Sequence, residues 1–264
     1  MVVGPFLPQE KKEEEEDSLK RSWVEQVMGM PVSVLLRGPG AQDGAAQDAV
    51  AAVYDELREV DATFSTWRAD SAVSRLRRGE VDLDDCPPEV REVAALCEQA
   101  RERTGGAFDA RSPDGTWDPS GLVKGWAAER AARHLAALPG PDWCLNAGGD
   151  VVLDCPSGEG LGVGVQDPTD PGAVVAVLSR RTGAVATSGT SARGQHLWDP
   201  QTGQPADAVV SVTVVGPSLL WADVWATACC VRGDLDLLPD GVEGLLLAAD
   251  SSRTSSPGWQ ALLA

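Results

Sequence analysis

Residues 143–154 read WCLNAGGDVVLD, and the segments that follow share its texture: GLGVGVQD (160–167), AVVAVLSRRTGAVATSG (173–189) and AVVSVTVVG (208–216). Each is short and rich in Val, Leu or Thr, and Gly, Pro and Asp punctuate the intervals between them. Strands that follow one another through brief turns need no crossover helix, so they pair antiparallel. This run decides the fold class.

Helical patterns flank this run of strands on both sides. AAQDAVAAVYDELREV (45–60) places Ala49, Val53, Leu57 and Val60 on one side. A second helix is expected from Pro87-Pro88 to Gly105-Gly106, with proline suited to the first turn and glycine to the end. A third opens at Ser120 as its N-cap and closes at Pro139-Gly140, and a fourth runs from Ser218 to Gly233. Upstream, EQVMGMPVSVLLRG (25–38) reads as one strand, and GVEGLLLAAD (241–250) as the last. The pattern predicts an α+β fold with a mixed, largely antiparallel sheet and packed helices, rather than a doubly wound parallel sheet. Residues 1–21, with their run of charge, read as a disordered acidic extension, and 22–264 as one catalytic unit.

With 264 residues there is ample length for a packed core. The net charge of −18 argues against a nucleic-acid partner, because phosphate binding needs a basic face. No long apolar stretch reads as a membrane span or a signal peptide, and the expected location is the cytoplasm. None of the six cysteines forms C-x-x-C and there are only two histidines, so a zinc site is not expected. Scattered thiols suit a reducing compartment, although sequence leaves a disulfide open.

Four clusters interrupt the apolar patterns with polar and glycine residues. TGGAFDARSPDGTWDPSGLVKGW (104–126) brings Asp109, Asp118 and Lys124 near a helix start, where free N–H groups attract phosphate. In LNAGGD (145–150) the paired glycines either turn the chain or let a ligand approach the backbone. VATSGTSARGQHLWDPQTGQP (185–205) carries Thr187, Ser188, His196 and Asp199, its DPQTG reading equally well as a plain turn. On the fourth helix Asp223 and Thr227 are four positions apart and share a face, as a hard-cation site or a solvated polar stripe would.

Taken in order, VMGMPVSV, FSTWRADSAVSRL, GGAFDA, DPSGLVKGWAAERA, LNAGGDV, VATSGTSARGQHLWDPQTGQP and SVTVVGPSLLWADVWAT resemble the signatures of the FAD:protein FMN transferase (ApbE) family. The resemblance implies cleavage of the FAD pyrophosphate and transfer of FMN to a Thr or Ser of an acceptor protein, with release of AMP. It implies Mg²⁺ held by Asp223, Thr227 and the backbone carbonyl of Ala127. It also implies flavin or adenine contacts from Met28 and Trp67, the latter by stacking, and from Ala107, Phe108, Asp109 and Leu197. Lys124 and Arg130 then fall on the pyrophosphate, and His196 manages the proton of the attacking hydroxyl, with Asp199 either orienting it or fixing the turn. Two other readings stay open on sequence: an FAD pyrophosphatase giving FMN and AMP, and a non-catalytic FAD-binding or storage protein. Trp67 stands where the family usually has Tyr, and Met30 where Thr is usual.

Overall fold

The computed structural model describes residues 2–3, 19–112, 114–189, 198–200, 202–206 and 209–264. Its centre is an eight-stranded antiparallel sheet built from β2 (Lys20–Val27), β3 (Met30–Arg37), β4 (Asp142–Ala147), β5 (Asp150–Asp154), β8 (Thr182–Gly189), β9 (Val209–Gly216), β10 (Glu243–Ala248) and β11 (Arg253–Ser255). The strands lie in the order β11-β10-β9-β8-β5-β4-β3-β2. A three-stranded sheet, β1 (Val2–Val3), β6 (Leu161–Gln166) and β7 (Val174–Arg180), has the order β1-β6-β7.

Strand alternation sorts two cores. Val32, Val34, Leu36, Leu145, Val152, Ala186 and Val212 face the helices, while Leu35, Cys144, Val151, Leu153, Val185 and Val215 face the small sheet. On the helical side lie α1 (Gly44–Phe64), α2 (Ala72–Arg77), α3 (Pro88–Arg103), α4 (Ser120–Ala136) and α5 (Leu219–Arg232). The result is three layers: helices, large sheet and small sheet. No helix among the described residues is long and apolar enough to cross a membrane.

Three local expectations change. The stretch 25–38 is two strands: Val27 pairs with Met30 around the turn residues Met28 and Gly29, at φ 54° and 71°. Positive φ at both positions gives the hairpin turn whose twist matches its strands. The stretch 173–189 divides at Arg181 between two sheets, because β7 pairs with β6 and β8 with β5 and β9. The boundary expected at residue 22 falls inside β2, which begins at Lys20, and Val2–Val3 pair with Val165 and Gly164.

Candidate active site

Helix α5 is apolar nearly all round and buried, yet carries Asp223, which is 2% exposed. An isolated carboxylate there would cost several kcal/mol, so it requires a partner. Lys124 on α4 supplies it: Nζ lies 3.3 Å from Asp223 Oδ1 and also contacts Asp150 Oδ2. The two helices meet this closely because of Gly125, where a Cβ would stand 2.9 Å from the Leu219 carbonyl oxygen and 3.3 Å from Asp223 Cβ.

The large sheet contributes the floor. Val152 and Ala186 point to the helices, so Asp150 and Ser188, each two residues away on the same strand, point there too. Asp150 is also 2% exposed, and its Oδ1 accepts the Thr187 N–H at 2.9 Å. Ser188 and Thr227 share a hydrogen bond between hydroxyls at 2.9 Å, and the Cys230 thiol donates to the Ser188 carbonyl at 3.2 Å. Burial pushes that thiol up to about 12, so it stays protonated near neutral pH. The turn before Asp150 is drawn against the β2–β3 hairpin: Asn146 Oδ1 accepts the Gly149 N–H at 2.8 Å, and Gly148 N–H donates to the Pro31 carbonyl at 2.9 Å. Gly148 holds φ 61°, a left-handed backbone that favours glycine, and a Cβ there would crowd the Met30 side chain, 2.8 Å from Sδ.

The segment expected to touch flavin abuts the start of α4. Ala107 and Phe108 are buried, and the Phe108 ring lies against Gly121. Asp109 Oδ1 accepts the Arg111 N–H at 2.8 Å. Ser120, expected as an N-cap, is instead the first residue of the helix. Its N–H donates to Asp118 Oδ1 at 3.0 Å, while Asp118 Oδ2 binds Arg77 at 3.1 Å. Trp67 is 95% exposed, above a loop pinned by hydrogen bonds from Ser71 and Ser74 to the Ser65 carbonyl. Met28 is half-buried in its turn, and Ala127 is fully buried on α4.

Lys124 and Arg130 are not brought together. Six positions at about 100° each put them about 120° apart round the helix. Arg130 pairs with Glu56 on α1 and lies over the Trp126 ring at 5.2 Å, and His134 binds the same Glu56 at 2.7 Å. Asp199 fixes a turn: its Oδ2 accepts from Thr202 at 2.9 Å, and its carbonyl accepts the Gly203 N–H at 2.7 Å. His196 and Leu197 lie outside the described residues. Asp150 and Ser188 belong to the site although spacing along the chain gave them no role.

The donor set suits a hard cation. Asp223 offers a carboxylate and Thr227 a hydroxyl one helical turn on; the hydroxyl is hydrogen-bonded to Ser188, and the Lys124 ammonium stands beside the carboxylate. Among the described residues no three His, Cys, Asp or Glu side chains converge, so hydroxyl, backbone and ligand oxygens would have to complete such a site.

The ApbE family model matches residues 28–115 and 110–238. The FAD:protein FMN transferase of Escherichia coli (strain K12) is 36% identical over 133 residues, covering 46% of this chain and 38% of that protein. The one from Rhodobacter capsulatus is 35% identical over 174 residues, covering 61% of this chain and 33% of that protein. The matched stretch thus spans well under two thirds of these relatives. The crystal structure of the ApbE protein from Thermotoga maritima superposes with a TM-score of 0.81 at 20% identity, over 93% of this chain and 99% of that one. The flavin transferase ApbE from Vibrio cholerae gives 0.76 at 20% identity, over 92% and 99%. At that identity the likeness establishes the fold.

Proposed function

This chain belongs to the ApbE family, and on that premise we propose that it is a flavin transferase. It cleaves FAD and attaches FMN through a phosphoester bond to a Thr or Ser of an acceptor protein, releasing AMP. The observation that carries this reading is the buried Asp150–Lys124–Asp223 cluster beside the Thr227 hydroxyl. It offers a tethered cation and hard oxygen donors within one site, as phosphoryl transfer requires.

In the proposed reaction the acceptor hydroxyl oxygen bonds to the FMN phosphorus while the bond from that phosphorus to the AMP oxygen breaks. His196 takes the hydroxyl proton, and AMP leaves with the bonding electron pair. Lys124 neutralises the pyrophosphate. Asp109, with Ala107 and Phe108, positions the nucleotide at the start of α4, Trp67 stacks on a ring, and Met28 and Leu197 line the flavin. Arg130 reaches the ligand only by leaving Glu56. Asp223, Thr227 and the Ala127 carbonyl would hold Mg²⁺, which when bound offsets charge developing on the phosphate oxygens. The expected setting is the cytoplasm.

The test incubates the purified protein with FAD and Mg²⁺, with and without an FMN-binding acceptor domain, followed by chromatography with mass detection. AMP release with one FMN added per acceptor supports the transferase. AMP and free FMN regardless of acceptor would make it a pyrophosphatase, and intact bound FAD throughout would leave a flavin-binding protein.

A further inference from the structure

Lys124 stands between two carboxylates that are each 2% exposed, in contact with Asp150 and 3.3 Å from Asp223. One ammonium against two carboxylates leaves the trio with a single net negative charge. Asp223 is also the carboxylate assigned above to the divalent cation, so two positive charges compete for one group. A cation on Asp223 with the ammonium still beside it would meet strong repulsion in a poorly solvated site. The lysine has somewhere to go: its side chain is 20% exposed and its stem is flexible. The FAD pyrophosphate would supply new negative charge to receive it.

We propose that Lys124 is a tethered cation that occupies Asp223 until FAD binds, so that FAD and the divalent cation bind as a coupled pair. Asp150 is the anchor that keeps Lys124 at the site in both states. The device prevents the cation from settling in the site before its substrate. This inference rests on the metal-dependent transferase reading and adds an order of assembly to it.

The probe is Mn²⁺ binding to the full chain, read by the EPR signal of free Mn²⁺, with and without FAD, the FAD being checked by chromatography to be intact after each titration. FAD is expected to tighten Mn²⁺ binding about tenfold or more in the wild type, within the usual span of coupling between sites. Lys124→Met should tighten Mn²⁺ binding without FAD by about the same factor and abolish the coupling. Asp150→Asn should weaken it without FAD, because Lys124 then turns fully to Asp223. Adding Lys124→Met to Asp150→Asn restores the trio's net charge and should reverse that loss, which guards against a single variant that fails to fold.

Mn²⁺ binding without FAD that is unchanged or weaker in a folded Lys124→Met protein overturns the inference. So does an Asp150→Asn loss that persists after the lysine is removed, since Asp150 would then be a ligand itself. If the wild type binds no Mn²⁺ even with FAD, the metal-dependent reading fails instead.

Discussion

The carboxylate of Glu129, on α4, accepts the backbone N–H of Leu220, in the first turn of α5, at 3.0 Å. The same Oε2 accepts the Ser218 hydroxyl at 2.7 Å, so one helix caps the next and sets the relative position of Lys124 and Asp223. Glu129→Ala should cost about 1–3 kcal/mol, the range for hydrogen bonds to a charged group. Glu129→Gln keeps an acceptor and should lose less. Urea unfolding of the three proteins measures this, and equal stability of wild type and Glu129→Ala would show that this cap does not stabilise the fold.

Asp223→Ala should lower AMP release about a hundredfold or more, since it removes a fixed electrostatic element of the site. Thr227→Val should weaken metal affinity about tenfold. His196→Ala should keep FAD affinity and lose transfer. Near-wild-type transfer by His196→Ala in a steady-state assay would move the proton-handling role elsewhere.

The helices α3, α4 and α5 are legible because apolar spacing and Pro or Gly punctuation agree near their ends, whereas α1, read from its apolar spacing alone, runs four residues past Val60 to Phe64. The β2–β3 hairpin is not legible, since Met28 is not a turn-forming residue and the apolar pattern continues through it. Short α2, with two arginines among its six residues, carries too little periodicity to announce itself. In the site, the Asp223–Thr227 face followed from helical spacing alone. Asp150 and Ser188 required knowing which sheet face meets the helices, a tertiary fact. The separation of Lys124 from Arg130 is available from helical geometry, but the expectation taken from the family resemblance, two cations on one pyrophosphate, conceals it.

Gly125→Ala should destabilise by about 1–3 kcal/mol through overpacking, despite the better helix propensity of alanine. Its Cβ would lie 2.9 Å from a backbone oxygen and 3.0 Å from Leu220 Cα, neither of which can swing away. Gly121→Ala on the same helix is the control, because its nearest contact is the Phe108 ring at an ordinary 3.6 Å. Equal melting temperatures for the two variants would show that the helices can separate at no cost.

Burial raises the Cys97, Cys144, Cys229 and Cys230 thiols from the usual 9.0 to about 12 and Cys155 to about 11. A folded-state value above the unfolded one means that this contribution to stability is complete below about pH 9 and is lost as pH rises towards 12. Tyr54, raised from 10.0 to about 12 chiefly by burial, acts with the same sign. The urea midpoint should therefore fall with increasing pH above about 9. Near neutral pH iodoacetamide should leave all six buried cysteines unmodified until urea unfolds the chain, as mass spectrometry would show.

Trp67 is 95% exposed, so its indole contributes little packing to the folded chain. Its backbone is nevertheless fixed, with the N–H donating to Ser65 Oγ at 3.3 Å and the loop tied down by Ser71. Trp67→Ala should change stability by less than about 0.5 kcal/mol, as expected of a surface site. A stacked ring contributes about 0.5–1.5 kcal/mol beyond area burial, so FAD affinity should fall by about two- to tenfold. Trp67→Tyr should recover most of it, because the stacking face remains, and Mn²⁺ affinity in the absence of FAD should not move in either variant. Fluorescence titration with FAD decides the matter: an unchanged dissociation constant for Trp67→Ala would show that this exposed indole does not touch the nucleotide.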